Sequence, residues 1–160
     1  MRGPLIAVIG GSSPTSDEAS LAQAVGRALA EAGAVLICGG RGGVMEAACR
    51  GAKKAGGTTI GVLPGPDTSE ANPYVDIPIV TGIGHARNAI IARTAEVAIA
   101  VGGSYGTLSE IALALGFGTP VIGLRTWTVE REGHPPAPII RVGTAEEAVR
   151  QAFAHLQDVR

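Results

Sequence analysis

VGGSYGTLSE, residues 101–110, joins an apolar run typical of a buried strand to an apolar run typical of a helix. Free backbone N–H groups and the positive end of a helix dipole favour an anion at such a turn, and glycines let the anion approach the backbone. Glu110 follows one helical turn later. The stretch therefore predicts a strand–turn–helix unit that holds a phosphate beside a carboxylate.

The same alternation of short apolar runs and helical patterns extends along the chain. Continuous apolar runs predict buried strands, at Pro4–Gly10, Ala34–Cys38, Thr58–Leu63, Ile77–Val80, Glu96–Val101 and Pro120–Leu124. Helical patterns lie between or after them, from Leu21 to Ala32 and at Gly43–Ala55, Gly84–Ala95, Tyr105–Phe117 and Ala145–Leu156. Parallel neighbours need crossover helices. We therefore predict an α/β fold, a Rossmann-like, doubly wound, mostly parallel sheet with helices on both faces.

The first helix has recognisable ends. Thr15 and Glu18 have the spacing of a capping box, and Gly33 is placed for a C-terminal cap. Thr144 and Glu147 repeat the capping-box spacing before the last helix. The segments Pro64–Asp76 and Thr126–Pro138 interrupt the alternation and are expected to be surface loops.

Composition narrows the class of protein. The chain has 160 residues, 24 glycines and a formal net charge of -1, which fits one domain over residues 1–160 and gives no pull toward nucleic acid. No apolar run is long enough for a membrane span, so no membrane partner is expected. The two cysteines, Cys38 and Cys49, suggest buried thiols rather than a disulfide framework, and a cytoplasmic location.

Three glycine-rich turns follow predicted strands and are expected at one edge of the sheet, where ligands bind in open α/β folds. Together they predict a phosphate-bearing ligand. The candidate binding residues are Gly10, Gly11 and Ser12 in the first turn, Gly39, Gly40, Arg41, Gly42, Gly43 and nearby Met45 in the second, and Gly103, Ser104, Tyr105, Gly106 and Thr107 in the third.

Several site types are disfavoured by what the motifs lack. Neither a G-x-G-x-x-G dinucleotide fingerprint nor a Walker A pattern opens a helix. The three histidines lie far apart without metal-ligand spacing, so no metal site is predicted. Hydride transfer and P-loop phosphoryl transfer are therefore not expected.

The motifs GGRGGVME at 39–46, Arg87-Asn88 and GSYGTLSE at 103–110 together resemble the lysine decarboxylase-like superfamily. It includes the Lonely Guy type cytokinin riboside 5'-monophosphate phosphoribohydrolases and the molybdenum cofactor carrier proteins. The resemblance extends from the first strand to about Leu124. Against the hydrolase signature P-G-G-x-G-T-x-x-E and its upstream Arg-Lys pair, Gly102, Ser104, Ser109 and Asn88 are departures. The chain is similar to a variant branch nearer the carriers.

The resemblance implies a nucleotide-binding domain and two alternative functions. In the first, Glu110 stabilises the cationic transition state or positions water as the N-glycosidic bond of a nucleoside 5'-monophosphate breaks, and Arg87 orients Glu110 or holds the nucleotide. That hydrolysis requires no cofactor. In the second, the protein is a binding module that carries molybdenum cofactor or senses a nucleotide. Lysine decarboxylation is not expected, since no lysine is placed for pyridoxal phosphate.

Further roles are also implied by the resemblance. The backbone of 103–107 and the Thr107 hydroxyl would hold the phosphate, while residues 40–43 form the opposite wall, with Arg41 as a second anion contact and Met45 near the base. Homodimers or larger homo-oligomers are expected. Structural alternatives stay open: an acid at position 110 also suits the helix dipole, Arg87 is also suited to a cap or a salt bridge, and Tyr105 is suited either to stacking on a ligand or to packing between subunits.

Overall fold

A computed structural model describes residues 2–157, with side chains through Leu156. Met1 and residues 158–160, which the predicted domain 1–160 includes, lie outside the described residues. The elements in chain order are β1 (Leu5–Gly10), α1 (Ser16–Glu31), β2 (Val35–Cys38), α2 (Val44–Lys54), β3 (Thr59–Leu63), β4 (Ile77–Val80), a 3-10 helix (Gly84–Arg87), α3 (Asn88–Thr94), β5 (Val97–Val101), α4 (Tyr105–Gly116), β6 (Val121–Leu124), β7 (Ile139–Arg141) and α5 (Ala145–Gln157).

The strands form one sheet in the order β4-β3-β2-β1-β5-β6-β7. Every neighbouring pair is parallel. The predicted α/β, Rossmann-like, doubly wound fold is therefore confirmed. The chain runs outward from β1 through β4 and then returns to the other side of β1 at β5, so the strand order reverses between β1 and β5. Ligands bind outside the carboxyl ends of the strands at such a point.

Both faces of the sheet are covered, because successive strand residues point to opposite sides. In β1, Ile6 and Val8 pack into the layer formed with α1, α2 and α5. Ala7 and Ile9 pack into the layer on the other face, which contains α3 and α4. This two-sided burial explains why the strands are continuous apolar runs rather than alternating ones.

The predicted ends of α1 are confirmed. The Thr15 hydroxyl accepts a hydrogen bond from the Glu18 N–H, and the Glu18 carboxylate accepts one from the Thr15 N–H. At the other end Gly33 adopts a φ of 81°, the conformation expected just after a helix.

Two elements differ from the prediction. The helix expected over Gly84–Ala95 begins as a 3-10 turn, and α3 starts only at Asn88. The strand β7, Ile139–Arg141, was not predicted, because three residues after a proline-rich loop give too short a pattern to recognise. Within the described part of the chain, every helix is too short or too polar for a membrane crossing.

Helices α1 and α2 pack close together where Gly26 faces Ala48. A Cβ atom at Gly26 would lie 1.9 Å from the backbone oxygen of Ala48 on α2. Backbone cannot yield as a flexible side chain can, so a methyl group there would push the helices apart. The spacing of this helical layer depends on the missing side chain.

We predict that Gly26→Ala lowers the free energy of unfolding by about 1–3 kcal/mol through overpacking. Gly116→Ala on α4 is the matched control, because its Cβ would meet nothing within 4 Å. That variant should be neutral or gain up to about 1 kcal/mol from helix propensity. Urea unfolding of both proteins measures the difference, and equal stabilities would contradict the packing argument.

Candidate functional site

A cleft of about 380 Å³ opens at the carboxyl ends of the strands, where the strand order reverses. The turns after β1 and β5 meet there, and a Cβ at Gly11 would lie 3.6 Å from the Cα of Gly103. The cleft is lined by Gly10, Gly11, Ser12, Arg41, Met45, Pro64, Gly65, Glu70, Gly84, His85, Arg87, Asn88, Ser104, Gly106, Thr107 and Glu110.

The N-terminus of α4 forms one wall of this cleft. Ser104 is the N-cap residue, but no side chain within residues 2–157 caps the helix by a hydrogen bond. The first N–H groups of a helix have no partner inside the helix. They are therefore available to an anion, which the helix dipole also favours.

Thr107, in the first turn of α4, carries an unsatisfied hydroxyl. The residue is 2% exposed, and its Oγ1 has no hydrogen-bond partner among the described residues. A buried hydroxyl without a partner costs about 1–3 kcal/mol. Thr107 also lines the cleft, so this unpaired donor belongs to the cleft wall.

The turn before α4 requires glycine at position 103. Gly103 has a φ of 113°, and a Cβ there would lie 2.4 Å from the Thr107 side chain. An L side chain rarely adopts this backbone conformation and would collide with Thr107. The absence of a side chain at Gly103 therefore lets the turn pack directly against Thr107.

Glu110 lies one turn further along α4 and also lines the cleft. Its side chain is buried, with the residue 8% exposed. Burial raises the pKa of the Glu110 carboxyl to about 7, and the nearby positive charge of Arg87 opposes the rise. The carboxyl is therefore partly protonated near neutral pH, which allows it both to donate and to accept a hydrogen bond.

Arg87, at the end of the 3-10 helix, is held by protein groups. Its Nε donates to the Val62 oxygen at 2.9 Å, Nη2 donates to the Gly39 oxygen at 3.4 Å, and Nη1 donates to Asn88 Oδ1. Burial lowers the pKa of this guanidinium, while Glu110 raises it. Across the described residues no ion pair joins Arg87 to Glu110, so Arg87 acts on the carboxyl through its field.

Asn88 and Ser109 extend this arrangement to α4. Asn88 Nδ2 donates to Ser109 Oγ at 3.3 Å, and Ser109 Oγ donates to the Gly106 oxygen at 2.9 Å. These are two positions at which the chain departs from the hydrolase signature. Asn88 takes the place of the hydrolases' lysine, and Ser109 takes the place of their first glutamate. Both side chains are neutral, and they bond to each other and to the first turn of α4.

The turn after β2 forms the opposite side of the cleft through Arg41 and Met45. The Arg41 Nη2 atom lies 3.6 Å from Glu70 Oε1 in the loop between β3 and β4, and both side chains are about half exposed. The loop is fixed to this turn, because Asn72 Nδ2 donates to the Arg41 oxygen at 2.9 Å. Arg41 is thus a solvent-accessible cation at the rim.

Tyr105 lies outside the cleft. It is 81% exposed, and its ring stacks on that of Trp127 with centroids 5.8 Å apart. The Trp127 indole donates to the Ser104 oxygen at 3.0 Å, which fixes the pair beside the start of α4.

The structure brings most of the predicted site residues together at the cleft. Those that do not line it are Gly39, Gly40, Gly42, Gly43, Gly103 and Tyr105. Except for Tyr105, these are turn glycines, and several of them support the residues that do line it. A Cβ at Gly39, for example, would lie 2.6 Å from Arg87 Nη2 and 2.7 Å from Met45 Sδ.

Other lining residues were not predicted as site residues: Pro64, Gly65, Glu70, Gly84, His85 and Asn88. The sequence offers a clue to Asn88 and His85, because they lie within two positions of Arg87. It offers no clue to Glu70, because the place of Glu70 at the cleft depends on how a proline-rich loop folds.

Within residues 2–157 no three or more His, Cys, Asp or Glu side chains are grouped to hold a metal ion. Cys38 and Cys49 are buried free thiols with their sulfurs 3.5 Å apart.

Known proteins match nearly the whole chain. Residues 4–149 match the model of the SLOG cluster4 family. An uncharacterised protein of Archaeoglobus fulgidus is 45% identical over 152 residues, which cover 93% of this chain and 94% of that protein.

Solved structures are similar over the same length. The molybdenum cofactor binding protein of Rippkaea orientalis is 38% identical with a TM-score of 0.88, covering 98% of this chain and 99% of that one. The molybdenum cofactor carrier protein of Chlamydomonas reinhardtii is 40% identical with a TM-score of 0.84, covering 96% and 99%.

The raised pKa of Glu110 predicts a pH-dependent stability that Glu110→Gln removes. The pKa is about 7 in the folded protein against an ordinary 4.5. Below the ordinary value both states hold the proton. As pH rises toward 7, the unfolded state releases it first, so stability is lost, by roughly 3 kcal/mol once the folded pKa is passed.

Urea unfolding of wild type and Glu110→Gln from about pH 4 to about pH 8.5 measures this loss. The two proteins share all other titrating groups, so the difference between their free energies of unfolding reports on Glu110 alone. Wild type should weaken relative to the variant across this range. A constant difference would contradict the buried, charge-disfavouring environment of Glu110.

Proposed function

We propose that this chain, which belongs to the SLOG cluster4 family, binds molybdenum cofactor as cargo in the cleft where β1 and β5 end. The resemblance to the lysine decarboxylase-like superfamily with its cofactor carriers is confirmed by the family match and by the solved structures. Those structures favour the binding module, the alternative of the two predicted functions, over hydrolysis.

The observation that carries the proposal is the unsatisfied Thr107 hydroxyl beside the uncapped start of α4. Both favour an acceptor with several oxygens, since the hydroxyl and the free backbone N–H groups belong to the same first turn of α4. A phosphate group meets this requirement. The molybdenum cofactor is a phosphorylated pterin, so its phosphate fits this wall of the cleft.

The other lining groups suit the rest of such a ligand. The Met45 thioether and Pro64 offer apolar contact to a planar ring, while the Glu110 carboxyl and His85 can bond to ring nitrogens. Arg41 adds a positive charge at the rim. The metal ion would arrive as part of the cargo, held by the pterin rather than by a ligand set of this chain.

Turnover is disfavoured by the chemistry around Glu110. Ser109 stands where the hydrolases have the first glutamate, and its hydroxyl is engaged with Gly106 and Asn88. Asn88 cannot supply the positive charge of the hydrolases' lysine. Glu110 therefore lacks the second carboxylate and the cation that the hydrolase signature provides.

Hydrolysis of a nucleoside 5'-monophosphate remains a second proposal because of one observation. The pKa of Glu110 is raised to about 7, which is the range in which a carboxylic acid can protonate a leaving group at neutral pH. This reaction would need no cofactor.

We further propose that the whole chain acts as one ligand-binding domain, that it resides in the cytoplasm and that it self-associates. Two free thiols suit a reducing compartment. Self-association is supported by exposed apolar side chains on β4, just before the 3-10 helix and on α3, namely Ile77, Ile79, Val80, Ile83 and Ile90. The apolar stretch of α4 from Ile111 to Phe117 is a second candidate contact, but its Ile111 and Ala114 are buried in the protomer and Phe117 is partly exposed.

Thr107→Val tests the cargo proposal. The variant keeps the shape and removes the hydroxyl, so it should bind cofactor roughly tenfold or more weakly through loss of a hydrogen bond to a charged group. Because the hydroxyl has no partner in the protein, stability should stay equal or rise. Native mass spectrometry of protein purified from a cofactor-producing host measures the retained pterin.

Thr119→Val is the matched control, because the Thr119 hydroxyl donates to the Ala92 oxygen at 3.0 Å and lies outside the cleft. It should lose about 1 kcal/mol of stability and keep the cofactor. Wild type that carries no pterin, or Thr107→Val that retains as much as wild type, would count against the proposed site.

The second proposal is tested by incubating the protein with AMP and related monophosphates and measuring free base. If the reaction occurs, Glu110→Ala should slow it by at least roughly a hundredfold, since the acid group is lost. Base release that is absent, or that persists unchanged in the variant, would eliminate hydrolysis.

A further inference from the structure

The rim of the cleft contains an ion pair between Arg41 and Glu70. Both side chains line the cleft. The nearest atoms, Arg41 Nη2 and Glu70 Oε1, are 3.6 Å apart, so the pair is held by charge without a short hydrogen bond. The guanidinium of Arg41 thus already has a carboxylate as its neighbour within the cleft lining.

The two side chains can separate while their backbones stay fixed. Asn72 Nδ2 donates to the carbonyl oxygens of Gly40 and Arg41, and the Asn72 N–H donates to the Gly40 oxygen at 2.8 Å. These bonds tie the loop between β3 and β4 to the turn after β2. The side chains of Arg41 and Glu70 are 48% and 43% exposed, and exposed pairs of this kind hold weakly.

We propose that Glu70 is a displaceable counter-ion which occupies Arg41 until an anionic ligand takes its place, and which thereby weakens the binding of phosphorylated ligands. The inference deepens the proposed function and rests on it, since it concerns the same cleft. The ligand class is a phosphate ester whose charge outcompetes a carboxylate at a guanidinium. Glu70 acts as a specificity-determining residue, because an uncharged ring without a phosphate has no means of displacing it.

Such a counter-ion suits a protein that must release its ligand. When the ligand leaves, Glu70 returns to Arg41, so the guanidinium is never left without a neighbour of opposite charge. Separating the pair costs free energy, so the ligand binds more weakly. The weaker binding appears mainly as faster dissociation of the ligand.

A double-mutant cycle on the full chain tests the proposal, with molybdenum cofactor released from a purified molybdoenzyme and AMP as the two probes. Glu70→Gln should bind roughly two- to fivefold more tightly than wild type. Arg41→Gln should bind roughly tenfold more weakly. In the Arg41→Gln background, adding Glu70→Gln should change little, because Glu70 acts through Arg41.

Glu31→Gln is the control, because it removes a carboxylate from another exposed pair, with Arg27 at 2.8 Å on α1, outside the cleft. It should leave the affinity unchanged. If wild type binds a probe and Glu70→Gln binds it equally or more weakly, the counter-ion role is overturned while the proposed function stands. An equal gain in both backgrounds would show direct repulsion and also overturn it. If wild type and Glu70→Gln bind neither probe, both proposals fail.

Discussion

The unsatisfied start of α4 is the constraint on which the site depends. In a parallel sheet the helix after β5 must begin at the carboxyl edge, and its first N–H groups then face the gap opened by the reversal of strand order. At α1 the capping box of Thr15 and Glu18 satisfies such groups. At α4 the chain leaves the helix uncapped and buries the Thr107 hydroxyl without a partner.

A second feature keeps this start in place. The Arg87 guanidinium donates hydrogen bonds to the carbonyl oxygens of Val62 and Gly39 and to the Asn88 side chain. One buried cation therefore connects the ends of β3 and β2 to α3. Asn88 continues through Ser109 to the first turn of α4. The two sides of the cleft are therefore joined beneath the ligand position, which favours a preformed site.

The sequence predicts the fold well because its local signals agree. Continuous apolar strands, glycine turns and capping residues all indicate the same alternating order, and the strand β7 is missed only because three residues carry too little pattern. The site is predicted where it depends on turns next to strands, as at Gly11, Ser104 and Thr107. It is not predicted where distant segments meet.

Glu70 and Arg87 illustrate this limit. Glu70 reaches the cleft through a loop whose path is set by Asn72, and no periodic pattern announces that path. Arg87 is found from its motif, but two of its partners are backbone oxygens that lie 25 and 48 positions away in the sequence. Residue types in the sequence indicate which chemistry is possible. Tertiary structure decides which hydrogen-bond or charged partners each side chain has.

A crystal structure of the protein with its phosphorylated ligand tests the central claim most directly. The account predicts that the phosphate lies within hydrogen-bond distance of Thr107 Oγ1 and the backbone N–H groups that begin α4. A ligand bound elsewhere, for example in the groove between α1 and α2 that contains Arg27 and Lys54, would contradict it.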